Sequence, residues 1–453
     1  MSSLFAHNAL LPQGWVSNVR LHWNDDGDFN QIEQNTELQA YENQVQFALP
    51  GMTNLHSHAF QRAMAGMTEM AGEGKDSFWT WRDLMYRYAL HITPEQIQAI
   101  AAQLYAECLR HGYTAVCEFH YLHRDQDGSF YARPAEMAER VIAAAEQAGM
   151  GISMLPVLYS YADFGEQMLR HDQRRFSTNV TEIMQLITAL EGKRSAQVEI
   201  GVAPHSLRAA SISQIRELVA ALPGARPIHV HIAEQQKEVD ACIAYSGRRP
   251  VELLLDTGLV DERWCLVHAT HLNKAEVQGI ASSGAVAGIC TTTEGNLGDG
   301  FFDLPDYIAA GGRFGVGSDS HVSQSPVEEL RWLEYGQRLR LQGRNIASIP
   351  AQRKVGDFLY QAALQGGAQA SGRQLGQLSI GYRAEIVVLD DEHPNLAGIS
   401  SADVLNTWIF AGNDNLVRDV YVGGKLVVQN GKHLQQAEIQ SAYGACIRSL
   451  RAL

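Results

Sequence analysis

Residues 56–58 read His-Ser-His, directly after the apolar run VQFALPGMTNL. Alternate side chains of an extended strand point to the same side, so His56 and His58 can present two imidazoles to one point. Similar residues recur where other β-branched runs stop. VEIGVAP is followed by His205, PIHVHIAE carries His229, His231 and Glu234, CLVHAT carries His268, and RFGVGSDSH carries Asp319, Ser320 and His321. A histidine alone at any of these places is an ordinary hydrogen-bonded core residue; the coincidence of several at strand ends points elsewhere. Imidazole nitrogens joined by one carboxylate, with a coordination position open, describe a catalytic divalent site. Zinc is the usual occupant, and iron(II) also suits these donors. Alternation puts His229 and His231 on one face, so spacing leaves open which of them reaches an ion.

The elements that must position these residues follow from the patterning. From about residue 45, eight short apolar runs alternate with longer helical stretches. They are VQFALPGMTNLH, TAVCEFHY, GISMLPVLYS, VEIGVAPHS, PIHVHIAE, CLVHAT, AVAGICTTT and RFGVGSDSH. Strand and helix in alternation predict a parallel sheet, and eight repeats predict a closed (β/α)8 barrel with its site at the C-terminal strand ends. Helix starts are marked by Thr93 with Gln96 three residues on, and by Ser211 ahead of ISQIRELVAAL. The chain ends read differently, as alternating segments such as WVSNVRLHW, LSIGYRAEIVVLD and VYVGGKLVVQNG. Residues 1–48 and 372–453 are expected to meet in a small β-sandwich domain with a C-terminal helix, leaving 49–371 to the barrel.

Composition narrows the function classes. A chain of 453 residues, 45% hydrophobic and 19% charged, can bury a large core. Its net charge of -14 argues against nucleic acid as a partner, which calls for a basic face. The six cysteines lack CxxC spacing and read as buried free thiols of a reducing compartment. No run approaches the ~18 apolar residues of a membrane span, and the N-terminus lacks a charged segment followed by a long apolar one. The expectation is a cytoplasmic protein without a membrane partner. The Gly-rich TTTEGNLGDG lacks the Gly-Lys-Ser/Thr ending of a phosphate loop and is read as a loop that shapes a pocket wall.

The HSH, HIAE and SDSH motifs in this order resemble the amidohydrolase superfamily, specifically its one-metal deaminase branch, and the resemblance covers the whole chain. It implies that His56, His58, His231 and Asp319 hold one divalent metal. It selects His231 over His229 because a glutamate, Glu234, stands three residues after it. Glu234, His268 and Asp319 then take acid/base and stabilising roles around a water acidified by the metal. Four stretches, HSHAFQRAMAG, FWTWRDLMYR, CTTTEGNLGDG and GSDSHVS, are similar to those of a branch member that hydrolyses a linear amidine in histidine degradation.

The expected substrate is a small dicarboxylate. Arginine offers a rigid fork for a carboxylate, and Arg82 and Arg208 together suit a dianionic tail. Gln61, Tyr121 and His205 complete the substrate-binding set, with Arg208 and Tyr121 at one carboxylate and Arg82, Gln61 and His205 nearer the other. Composition alone makes Arg87 as good a candidate as Arg82. One rival is a deaminase of guanine or a related heterocycle, for which a second arginine has little use. A remoter rival is a non-catalytic barrel scaffold. A homodimer is expected for an enzyme of this size, although no residue pattern marks an interface.

Overall fold

The computed structural model of the chain describes residues 2–70 and 78–452. Barrel strands one to four are Met52–Ser57, Tyr113–His120, Gly151–Leu158 and Val198–Ile200, the last continued by Ala203–Pro204. Strands five to eight are Ile228–Ile232, Trp264–His268, Val286–Ile289 and Arg313–Val316. Neighbours pair in parallel within each set, and two parallel bridges close the ring, Val202 to Ile228 and Ser57 to Asp319. At the second seam the Asp319 amide donates to the His56 carbonyl at 3.0 Å, and the His58 amide donates to the Asp319 carbonyl at 3.3 Å. Closure of the barrel therefore brings residues 261 positions apart into register at one strand end.

The helices form where the sequence signals them. Pro94–Arg110 starts at a reciprocal cap between Thr93 and Gln96, and Ile212–Ala221 at one between Ser211 and Gln214. Each such cap contributes roughly 0.5–2 kcal/mol. Ile97, Ile100, Ala101, Leu104, Tyr105 and Cys108 keep helical spacing and are buried against the barrel. The helix Val355–Ser371 crosses beneath strands one and eight at a distance that only glycine allows: a Cβ on Gly366 would stand 1.9 Å from the carbonyl oxygen of Phe314.

The two chain ends share one eight-stranded sheet. Its order is Lys432–His433, Lys425–Gln429, Val417–Val422, Ile386–Leu389, Gln44–Pro50, Ser2–Leu11, Gly14–Trp23 and Phe29–Glu33. Period-two alternation divides it between two cores. Ile386, Val388 and Ala48 pack with Leu4 and Leu21, whereas Val387, Leu389, Phe47 and Leu49 join the barrel core.

Two expectations change here. The run VQFALPGMTNLH is two strands, because Gly51 breaks it: Gln44–Pro50 pairs with Ser2–Leu11 and Ile386–Leu389, and only Met52–Ser57 enters the barrel. A Cβ on Gly51 would lie 2.2 Å from Thr114, so a side chain is excluded at that crossing. The TTTEGNLGDG stretch is helical over Thr291–Leu297, its glutamate turned inward. All six cysteines are free and buried. Among the described residues, no helix is long and apolar enough to cross a membrane.

Candidate active site

Three imidazoles converge at the ends of strands one and five. The Nε2 atoms of His56 and His58 are 3.1 Å apart, those of His58 and His231 3.3 Å, and those of His231 and His56 3.1 Å. Two of these rings have a fixed tautomer: Nδ1–H of His58 donates to the Phe119 carbonyl at 2.9 Å, and Nδ1–H of His231 to the His205 carbonyl at 3.0 Å. Carbonyls only accept, so in the neutral rings both Nε2 atoms carry bare lone pairs. Burial, aided by His58, holds His56 down to about 3, and burial likewise lowers His58 and His231. Lone pairs aimed at one point repel unless a cation lies among them. A tetrahedral ion with bonds of about 2.0–2.1 Å spaces its ligands about 3.3–3.4 Å apart, close to the observed triangle.

Asp319 supplies the fourth donor, its Oδ1 lying 3.3 Å from His58 Nε2 and 3.5 Å from His56 Nε2. Burial disfavours its charge, but the hydrogen bond from His56 and the neighbouring imidazoles win and hold it well below the usual carboxylate range. His229 does not reach this point. Its Nε2 bonds the Ala370 carbonyl at 2.7 Å, one layer deeper in the barrel. His321 bonds Ser318 Oγ at 2.9 Å rather than the Asp319 carboxylate.

Glu234 and His268 stand on the open side of the cluster. Glu234 Oε1 is 3.8 Å from His268 Nε2, which is 3.7 Å from Asp319 Oδ2. Burial raises Glu234 to about 7, so it can hold a proton near neutrality. Burial opposes the His268 imidazolium, but Glu234, Glu294 and Asp319 outweigh it and raise His268 to about 10. Several backbones here are left-handed without being glycine: Ala233 at φ 51°, His268 at 67°, Ala269 at 48°, Asp319 at 46° and His321 at 66°. Such conformations cost of order 1–3 kcal/mol each and concentrate at functional sites.

Above the cluster opens a cavity lined by His58, Gln61, Tyr121, His205, Arg208 and Arg82, among others. The helix Phe78–Ala89 turns Phe78, Arg82, Met85 and Tyr86 toward it, at helical spacing. Arg87 on the same helix is exposed, which separates it from Arg82. The substrate-binding candidates group differently from the expected division. Gln61 Nε2 donates to Tyr121 Oη at 2.7 Å, while Arg82 and Arg208 gather about one ring, Trp79, at 4.5 and 5.6 Å from its centroid. Each arginine has a buried Nε without a hydrogen-bond partner among the described residues.

Residues 47–427 match the profile of the Amidohydrolase family, and residues 1–45 that of the formimidoylglutamate deiminase HutF N-terminal domain. The chain belongs to the amidohydrolase family. It is 52% identical over 444 residues to the formimidoylglutamate deiminase of Pseudomonas aeruginosa, covering 98% of both chains. A 5-methylthioadenosine/S-adenosylhomocysteine deaminase of Natronomonas pharaonis is 26% identical, over 84% of this chain and 81% of that one. An amidohydrolase from Brucella melitensis superposes with a TM-score of 0.94 at 43% identity, covering 100% of each chain.

Sequence reasoning missed part of this amidohydrolase site. Glu294 accepts from His268 Nδ1 at 3.2 Å and from the Cys290 amide at 2.8 Å, fixing the His268 ring. Asp299 brings a second buried carboxylate within 4.8 Å of Glu234 and His268. Both lie in TTTEGNLGDG, where acidic residues just past a strand end were the available signal. Tyr86 and Tyr159, held by Gln173 at 3.2 and 2.9 Å, form the aromatic wall. Tyr86 lies in the FWTWRDLMYR stretch but is not singled out there, and Tyr159 carries no motif that would have marked it.

Proposed function

We infer that this chain hydrolyses N-formimidoyl-L-glutamate to N-formyl-L-glutamate and ammonia, the formimidoylglutamate deiminase step of histidine degradation. The observation that carries this reading is the pair Arg82 and Arg208, each with a buried Nε lacking a partner among the described residues, lining the same cavity as the histidine cluster. A linear amidine bearing two carboxylates has a reactive carbon for one end and negative charge for the other. A flat neutral base gives two cationic forks nothing to bind. The relationship to the Pseudomonas enzyme supports the same substrate.

His56, His58, His231 and Asp319 are assigned as ligands of one divalent ion, zinc by the chemistry of this donor set. When bound, such an ion acts as a Lewis acid that brings a water's pKa down toward ~7. The rest of the work falls to the chain's own groups. Asp319, charged and beside His268, orients the attacking water and accepts its proton. His268, fixed by Glu294, donates a hydrogen bond to the oxygen as it adds to the amidine carbon. Glu234, protonated near neutrality, delivers its proton to the terminal nitrogen. The proton held by Asp319 passes to the same nitrogen as its bond to carbon breaks and ammonia leaves. The water oxygen gives its remaining proton back to Glu234 and becomes the formyl oxygen, and the bond to the glutamate nitrogen is kept.

Gln61 and Tyr121 bind the substrate as one unit beside the ion, His205 lines the chain between, and Arg82 and Arg208 take the carboxylates. A cytoplasmic homodimer belongs to the same reading, and light scattering tests the assembly. Ammonia release from N-formimidoyl-L-glutamate, guanine and adenosine tests the function. Turnover is expected for the first alone, and preference for either base overturns the assignment.

A further inference from the structure

Three cations from three separate elements surround one indole. Arg82 and Arg208 have their guanidinium carbons 4.5 and 5.6 Å from the centroid of the Trp79 ring, and the ammonium of Lys237 lies 4.5 Å from the same centroid. Trp79 and Arg82 belong to Phe78–Ala89, Arg208 follows barrel strand four, and Lys237 opens the helix Gln236–Ser246. Like charges gather this closely only where something offsets their repulsion. The negative face of an indole does so in part, the buried Glu238 and Glu234 do so at Arg208, and a bound anion would do so further. Arg208 is only 7% exposed, whereas Lys237 is exposed. Another cation of this wall, Arg170, stands 5.4 Å from the Tyr86 ring centroid but is neutralised by Asp83 and Asp172. Lys237 has no ion-pair partner among the described residues.

The whole chain carries a net charge of -14, which repels a doubly negative substrate at long range. The local positive cluster about Trp79 opposes that field within about one Debye length, ~8–10 Å at ordinary ionic strength. We propose that Lys237, exposed and gathered with Arg82 and Arg208 about Trp79, is the cation that attracts the dianionic tail toward the two cavity-lining arginines. This rests on the dicarboxylate reading above, and deepens it by adding a third cation with a different task. Arg208 is buried and Arg82 half-buried, and they read the bound carboxylates; Lys237 is exposed and acts on the approaching charge.

Lys237→Gln removes the charge from an exposed position, and Lys237→Arg restores it. Binding is measured by calorimetry with glutarate, a dianion without an amidine, and with butyrate, its single-carboxylate counterpart. At low ionic strength Lys237→Gln is expected to weaken glutarate about 3- to 10-fold and butyrate less, the gap closing in ~0.5 M salt. Lys237→Arg recovers glutarate binding. With N-formimidoyl-L-glutamate the loss falls on KM rather than kcat, with the same salt dependence. Glutarate binding by Lys237→Gln that equals the native value at low salt, with the same salt slope, overturns the proposal. A native enzyme that shows the Lys237 effect on glutarate yet releases no ammonia from N-formimidoyl-L-glutamate sinks the deiminase assignment and leaves the capture role standing.

Discussion

The two ends of the cavity are built on opposite principles. At the histidine end the protein orients its own rings: strand pairing sets the backbone, carbonyls of Phe119 and His205 orient two of them, and Glu294 orients His268, with His56 Nδ1 left unpaired among the described residues. At the arginine end it leaves work undone. Arg82 and Arg208 rest on an aromatic ring with a buried Nε lacking a partner among the described residues. A buried donor without an acceptor costs about 1–3 kcal/mol, and a carboxylate from the substrate removes that cost. The difference teaches where catalysis and recognition reside. Under the proposed function, the reacting groups are fixed before substrate arrives and the binding groups would be completed by it.

The comparison breaks most sharply at His231. His231→Ala should lose the metal and essentially all activity, because one corner of the nitrogen triangle disappears; metal analysis showing full occupancy would remove His231 from the ligand set. Glu234→Gln should keep the metal and lose roughly two to four orders of magnitude in kcat, the usual scale for a positioned general acid. A rate near that of the native enzyme would exclude Glu234 from proton delivery. At the other end, Arg208→Ala should lower kcat/KM about 10- to 100-fold on the dicarboxylate, from the loss of a charge-assisted contact. On N-formimidoylglycine, which lacks the second carboxylate, the penalty should shrink; equal penalties on both substrates would show that Arg208 does not read that group. The smallest catalytic effect is expected at His229. His229→Ala should keep the metal and lose about 1–3 kcal/mol of stability, since the buried Ala370 carbonyl loses its donor. Metal loss in that variant would mean that the deeper layer of the barrel helps to hold the site.

Legibility in the sequence follows the same division. The histidine end is local: HSH and HIAE each place their residues within four positions, and the period of a strand converts that spacing into a shared face. Strand count, helix caps and the alternating segments at the chain ends were legible for the same reason, since 2.0 and 3.6 residue periods are written along the chain. Strand spacing leaves His229 and His231 open, and the glutamate three residues on favours His231. The structure adds their difference in depth: His231 Nε2 lies with those of His56 and His58, whereas His229 bonds the Ala370 carbonyl. Tertiary structure alone decided that Gly51 separates two strands, that Asp319 pairs with Ser57 across the closing seam, and that three cations from distant segments share Trp79. The physical reason is range. Backbone periodicity and capping act over a few residues and leave a local trace in the sequence, whereas barrel closure and the packing of charge on an aromatic ring join residues more than a hundred positions apart.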